Sequence, residues 1–228
     1  YYKVDRNGLK RQTQSVFGNV ELGWKSCLFV SATVRADWDS ALAYSSYGKK
    51  AFVYPSVGIS ALFHEMFDMP RGFPFLKARF SYTSVGNAYD PYMTKLRYEY
   101  DQQTQQYHVK DIYPNFNLKP EITQSYEAGL NLKFIDNTLS LDLTYYHSNT
   151  KNQTFEAPLS AGSGYKAVYV QAGNIENQGF EAALGYDNTW GDFSWNTTLT
   201  ASLNRNKIVG LVDGVENPVT GELISMPY

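Results

Sequence analysis

Several things are scarce in this 228-residue chain, and each scarcity removes a class of explanation. Cysteine is reduced to Cys27, so neither a disulfide framework nor a cysteine metal cluster is available. Long apolar runs are missing: nothing approaches the 18 residues that a membrane-spanning helix needs, which excludes helical spans but not strands. Charge excess is missing too. With 20 basic and 22 acidic side chains the formal charge is −2, which leaves no electrostatic footprint for nucleic acid, and none is expected as a partner. Nothing near Tyr1 has the zones of a signal peptide, so the expectation is a mature chain or a piece of one.

Aromatic rings and strict alternation are what is abundant. Tyrosine alone accounts for 19 residues and aromatics for 16% of the chain, a composition that favours strands. The stretch FSWNTTLTASLNRN, residues 193–206, places Phe193, Trp195, Thr197, Leu199, Ala201 and Leu203 on one face. Ser194, Asn196, Thr198, Thr200, Ser202 and Asn204 fall on the other. Soluble strands run about 5 to 6 residues, whereas a tilted strand crossing a bilayer needs roughly 9 to 11. The length of this stretch favours the second environment, with lipid against the apolar face and water against the polar one.

The same alternation predicts seven further strands. Residues 12–24 carry Val16, Val20, Leu22 and Trp24 on one face, and residues 28–38 carry Leu28, Val30, Val34 and Trp38. A third strand is marked by Val53, Val57, Ile59, Ala61 and Phe63, with Pro55 near its start, and a fourth by Leu76, Ala78, Phe80 and Tyr82. Tyr126 to Phe134, Leu139 to Tyr145 and Phe180 to Trp190 mark the fifth, sixth and seventh. Residues 87–121 and 149–175 read as long loops, and residues 207–228, punctuated by Pro218, Gly221 and Pro227, as a terminal loop. Short links after strands one, three, five and seven, with longer ones after two, four and six, give the asymmetry of an outer-membrane barrel. Trp24, Trp38, Trp190, Trp195, Tyr145 and Tyr146, near strand ends, fit its two aromatic girdles.

Nothing in the sequence points to catalysis or to a cofactor. His64, His108 and His147 are scattered away from metal-ligand spacing. Asp37 and Asp39 would suit glycoside hydrolysis only as a facing pair, and they read better as solvated carboxylates at a strand end. Gly162-Ser163-Gly164 has no following helix to make a phosphate cradle and reads as a loop hinge. Glu127 and Glu181 fall on the polar face. The loop aromatics Tyr89, Tyr92, Tyr98, Tyr100, Tyr113, Phe116, Tyr165 and Tyr169 are the candidate contacts for a ligand or a partner protein, since rings bring large contact area at low entropic cost.

The segment LKPEITQSYEAGLNLKF, residues 118–134, followed by NTLSLDLTYYHSNTKN and AGNIENQGFEAAL, resembles the C-terminal half of SusC/RagA-like TonB-dependent transporters. The matching positions are Lys119, Pro120 and Glu121 in the loop before a strand, then Ser125, Glu127 and Gly129 within it. Asn174, Asn177, Gly179 and Glu181 follow in a later element. The upstream pieces VFGNVELGWK, TVRADW, YPSVGISALF and LKARFSYTSVGN look like the family in the expected order, so the resemblance spans most of residues 12–211. It implies an outer-membrane barrel of about 22 strands, plugged by an N-terminal domain. It also implies energisation through TonB and a SusD-like surface lipoprotein that captures glycans or peptides.

The resulting expectation is an all-β, antiparallel transmembrane barrel segment of about eight strands of such a larger barrel. Residues 1–228 would form part of the receptor barrel, with plug and closing strands absent. A barrel of about 22 strands would need roughly 600 residues before its plug. A self-contained eight-stranded barrel of structural or adhesive role and a soluble carbohydrate-binding sandwich are the alternatives.

Overall fold

The computed structural model describes residues 10–70, 72–210, 212–217, 219 and 221–226; Tyr1, Pro218 and Pro227 lie outside them. Eight long strands form one antiparallel sheet: β1 (Thr13–Trp24), β2 (Leu28–Asp39), β3 (Phe52–Leu62), β4 (Phe75–Asn87), β8 (Glu121–Phe134), β9 (Leu139–Lys151), β12 (Asn174–Trp190) and β13 (Phe193–Gly210). Each pairs with the next in this order, and among the described residues β1 and β13 have a partner on one side only. Shorter strands fill the connections: β5 (Tyr98–Asp101), β6 (Gln106–Val109) and β7 (Ile112–Tyr113) between β4 and β8, and β10 (Thr154–Pro158) and β11 (Ala167–Gln171) between β9 and β12. After β13 come β14 (Val212–Glu216) and β15 (Leu223–Met226).

The register explains why alternation is so strict. Directly opposed residues make a row across the whole sheet: Leu22, Val30, Ile59, Phe80, Ala128, Tyr145, Phe180 and Leu203. Every member is apolar, and the neighbouring row Trp24, Leu28, Ala61, Ala78, Leu130, Leu143, Ala182 and Ala201 is apolar as well. A slip of one residue anywhere would turn a whole strand inside out. Strand β3 shows the sign of the pattern: Val53, Val57 and Ile59 are exposed, whereas Tyr54, Ser56 and Gly58 between them are half-buried.

A water-soluble sandwich buries its apolar face under a second sheet; here Leu199 is 66% and Leu203 74% exposed, and among the described residues no second sheet covers them. Contiguous apolar surface on this scale belongs against lipid. The polar face is the concave one, since its hollows are lined by side chains such as Arg79, Asp142, Thr144, Glu181 and Ser202.

The row beginning at Val20 tells how the strands cross. It runs through Ala32, Val57 and Tyr82 to Tyr126, then becomes His147, Gln178 and Arg205. Strands of a membrane barrel tilt by about 35–45°, so a row of opposed residues climbs across the bilayer and leaves it. Tyr82 and Tyr126, with ring centroids 5.0 Å apart, mark the exit. At the other boundary Trp190 stacks on Phe193 at 6.1 Å, and Trp195 follows at 6.4 Å from Phe193.

Several expectations need correction. The link after β3, residues 63–74, is as long as the one after β2 and opens with a helical turn, α1 (Phe63–Met66), which takes Phe63 out of the strand. Residues 88–120 and 152–173 are structured: β5 pairs with β6, and β10, β11 and β7 form a three-stranded sheet. Strand β13 runs on to Gly210 because its ladder continues opposite Asn174 to Asn177, and β14 pairs with β15 where a terminal loop was expected. Tyr146 belongs to the inner face rather than to a girdle, being next to the outward Tyr145.

Asp39 is clasped by Arg11 at 2.8 Å and Thr13, and Asp37 by Arg35 at 2.7 Å, so neither is a freely solvated carboxylate.

The remaining asymmetry fixes an orientation. Residues 25–27, 135–138 and 191–192 are tight turns at one end, and residues 88–120 and 152–173 are the long connections at the other. In the full-length protein in intact cells, a membrane-impermeant maleimide should label Tyr98→Cys directly and Asp192→Cys only after the outer membrane is permeabilised. Native Cys27 is 3% exposed and gives a low background. Labelling in the opposite order would invert the barrel.

Candidate functional site

Two regions gather the polar and aromatic groups: the concave wall of the sheet and the layer of loops beyond its long-loop end. The wall is centred on Arg79, which leaves β4 on the polar face. Its guanidinium donates to Asn131 Oδ1 at 2.9 Å and Thr144 Oγ1 at 2.6 Å, and lies 3.4 Å from Glu127 and 3.6 Å from Asp142. Asn131 in turn donates to Asp142, so β4, β8 and β9 are laced together through one cation. Gly129 makes this possible: a Cβ there would sit 2.6 Å from Arg79 Cζ, so only glycine lets the side chain lie flat across β8.

Gly179 serves the ring of Tyr146 in the same way. A Cβ at this position would come within 2.4 Å of that ring and 2.5 Å of the Leu203 carbonyl oxygen. Gly179→Val should therefore destabilise the folded barrel by about 1–3 kcal/mol, seen as a lower temperature for loss of the compact electrophoretic form. An unchanged transition temperature would contradict the close approach. Asn177, two residues earlier on the same face, accepts a hydrogen bond from Asn206 Nδ2 at 2.6 Å and holds β13 to β12. Glu181 lines the hollow beside Arg79, and Ser125 is half-buried on the same wall opposite Thr83 and Ser148. Asn174 is half-buried at the outer end of β12, with its Oδ1 enclosed.

The dry core of the molecule lies in the loops. Leu42, Tyr89, Leu118 and Tyr169, each from a different stretch of the long connections, pack together with Phe52, Met93 and Ile112 around them. A second cluster joins Ala157, Val168 and Val170, with Tyr113 and Phe155 against it. Polar bonds stitch the same stretches: Ser46 N donates to the Phe116 carbonyl at 2.9 Å, and Asn115 Nδ2 to the Tyr169 carbonyl at 3.0 Å.

The segment Leu118 to Glu121 is the clasp. Leu118 is fully buried, Lys119 exchanges backbone hydrogen bonds with the Gln171 amide, Pro120 is buried, and Glu121 accepts from Thr154 N at 3.4 Å. Burial pushes the hydroxyl pKa values of Tyr89 and Tyr169 up, which keeps both rings neutral hydrogen-bonding groups. At the exposed rim Lys166 pairs with Asp111 and holds that carboxyl below its usual range.

The candidate aromatic contacts thus separate into two sets. Tyr89 and Tyr169 are inside the loop core. Tyr113 is half-buried and meets Tyr165 edge-on at 5.0 Å, and Tyr92 is half-buried under Arg97 at 5.0 Å. Tyr98, Tyr100 and Phe116 are exposed. Tyr107 was not singled out by the sequence; it faces Tyr100 across the β5–β6 hairpin at 5.0 Å and is 73% exposed. Arg79 was also missed, although a lone arginine in the middle of an alternating strand was a visible signal.

With this geometry in place, likeness to known proteins is informative. The TonB dependent receptor-like, beta-barrel family matches residues 2–224. TonB-dependent receptor P3 of Formosa agariphila is 33% identical over 210 residues, covering 88% of this chain. TonB-dependent receptor SusC of Bacteroides thetaiotaomicron is 28% identical over 102 residues, covering 44% of this chain and 10% of SusC. The chain spans 21% of the length of receptor P3.

Among solved structures, the RagAB peptide importer in its open-open state superposes with a TM-score of 0.78 at 20% identity, over 96% of this chain and 24% of that one. The siderophore receptor PirA from Pseudomonas aeruginosa gives 0.55 at 18% identity, over 87% of this chain and 35% of that one. Apolar rows turned outward, a polar concave wall and a family match over nearly the whole length agree: the chain belongs to the TonB dependent receptor-like β-barrel family, whose strands cross the outer membrane.

Proposed function

We propose that these residues are a stretch of wall of an outer-membrane nutrient importer of SusC type. Glycans, oligosaccharides or peptides are captured outside with a SusD-like lipoprotein lid and admitted when TonB remodels a plug. The observation that carries this reading is the pairing of an open-edged, lipid-facing sheet with a prebuilt outer loop layer. Further strands pair with the free edges of β1 and β13, since unpaired donors and acceptors are not tolerated in hydrocarbon. The plug and the closing strands belong to other parts of the same receptor. An eight-stranded closed barrel would require β1 to meet β13, and among the described residues the two do not pair, which supports the larger barrel.

No bond is made or broken in this role; the wall binds, orients and conducts. Exposed Tyr98, Tyr100, Tyr107 and Phe116 are the loop rings placed to contact the lid or an incoming substrate. The polar wall around Arg79 and Glu127 offers donors and acceptors to the plug or to water in the lumen.

The test is uptake by cells whose only copy of the full-length receptor is inducible, supplied with fluorescent oligosaccharides and fluorescent peptides in separate assays. Accumulation of one class that disappears when TonB is removed is expected. Equal accumulation with and without the receptor for both classes would sink the importer reading.

A further inference from the structure

The β5–β6 hairpin stands on two like charges. Arg97 directly precedes β5 and Lys110 directly follows β6, and the Lys110 amide donates to the Arg97 carbonyl at 3.0 Å. Because Tyr98 lies opposite Val109, the two cations face each other on one side of the ladder, where like charges repel. Glu99, two residues along on that side, is exposed, and among the described residues it pairs with neither.

Arg97 and Lys110 are both half-buried, and among the described residues neither forms an ion pair. The Arg97 guanidinium lies over the Tyr92 ring at 5.0 Å, and its Nε is enclosed without an acceptor. A sequestered cation with an unfilled donor is costly until an anion completes it.

Both side chains line a hollow of about 190 Å³ together with Asp90, Tyr92, Lys95 and Tyr169. Lys95 lies over the Tyr44 ring at 4.3 Å and adds a third positive charge to the lining. A water takes about 30 Å³ of liquid, so the space exceeds what a bare ion fills and admits one sugar ring. Cationic donors beside a single carboxylate acceptor, Asp90, suit a ligand that carries a carboxylate with hydroxyls next to it. A uronic acid is such a ring. An acidic peptide side chain has only methylenes beside its carboxylate and would leave Asp90 facing a second negative charge.

We propose that Arg97 and Lys110 hold the carboxylate of a uronic-acid residue in an imported oligosaccharide, with Asp90 accepting from its neighbouring hydroxyls. The site deepens the importer reading and rests on it, narrowing the cargo to acidic oligosaccharides.

The experiment measures binding of defined probes to the full-length receptor in detergent by calorimetry. The probes are tetramers containing galacturonate or glucuronate, their neutral methyl esters and tetraglutamate. At least one of the two acidic sugars should bind roughly ten-fold or more tightly than its ester. Arg97→Gln should weaken that binding roughly ten- to hundred-fold, and Arg97→Lys should restore only part of it, because the planar fork is lost. Lys110→Gln should cost about ten-fold, and Lys25→Gln in a short turn should change nothing. Heat-dependent mobility checks that each variant is folded. Binding of neither acidic sugar, equal binding of the esters, unchanged affinity in Arg97→Gln, or tetraglutamate bound as tightly would each overturn the uronate site. Receptor- and TonB-dependent uptake of neutral oligosaccharides alongside any of these results would leave the importer reading standing, so the two failures are told apart.

Discussion

Leu199→Arg should prevent most of the receptor from reaching a stable membrane-inserted state. Leu199 lies in the row Leu76, Leu132, Leu141, Leu184 and Leu199, in the middle of the outward apolar stretch that runs from Phe193 to Leu203. A charged residue on the lipid face near the midplane costs about 2–4 kcal/mol. That corresponds to a shift of roughly 30- to 700-fold in the ratio of folded to unfolded protein. Urea titration of the full-length receptor in phosphatidylcholine vesicles should show the loss as a lower midpoint. Thr200→Arg, one residue along and on the opposite face, should leave the midpoint nearly unchanged, because its side chain enters the watery lumen. Equal losses for both variants would mean that the two faces of β13 meet the same solvent.

Leu118→Ala should loosen the outer loops without unfolding the wall. Leu118 is fully buried among Leu42, Tyr89 and Tyr169, side chains drawn from all three of the connections that meet at that end. Truncating a fully buried leucine costs about 2–5 kcal/mol, the spread reflecting how far the surroundings collapse into the space. The cost falls on a local unit, since among the described residues the eight long strands reach this core only through Phe52 at the end of β3. Hydrogen exchange in residues 88–120 and 152–173 should accelerate by at least about thirty-fold, while amides of β9 and β12 keep their protection. Unaltered exchange in the loops would show that the cluster does not hold them. Equal acceleration in the wall would show that loops and strands unfold as one.

How much of this was visible beforehand depended on how local the signal was. Residues 12–24, 28–38 and 193–206 read as strands because lipid on one side and water on the other enforce alternation residue by residue, and Thr13–Trp24, Leu28–Asp39 and Phe193–Gly210 result. The end of β13 was missed because Ile208 and Val209 break the alternation, and only the ladder to Asn174, Ile175 and Glu176 shows that pairing continues. Loop strands were missed for a related reason. Ile112 and Tyr113 pair with Ala167 and Val168, partners that no local period can reveal.

The family motif residues were legible by resemblance, but their physical roles were not. Gly129 is needed because an arginine from the neighbouring strand lies across it, and Pro120 is fully buried directly before β8. The loop tyrosines looked alike in sequence; tertiary packing alone separates buried Tyr89 and Tyr169 from exposed Tyr98 and Tyr107.

The central claim is that the apolar face of this sheet meets lipid and its polar face meets water. Spin labels placed singly at residues 193 to 204 of the full-length receptor in bilayers measure it directly, through accessibility to oxygen and to a water-soluble nickel chelate. Oxygen accessibility should peak at positions 199, 201 and 203 and nickel accessibility at 198, 200 and 202, in strict opposition. Opposite phase, or high nickel accessibility at every position, would contradict the account.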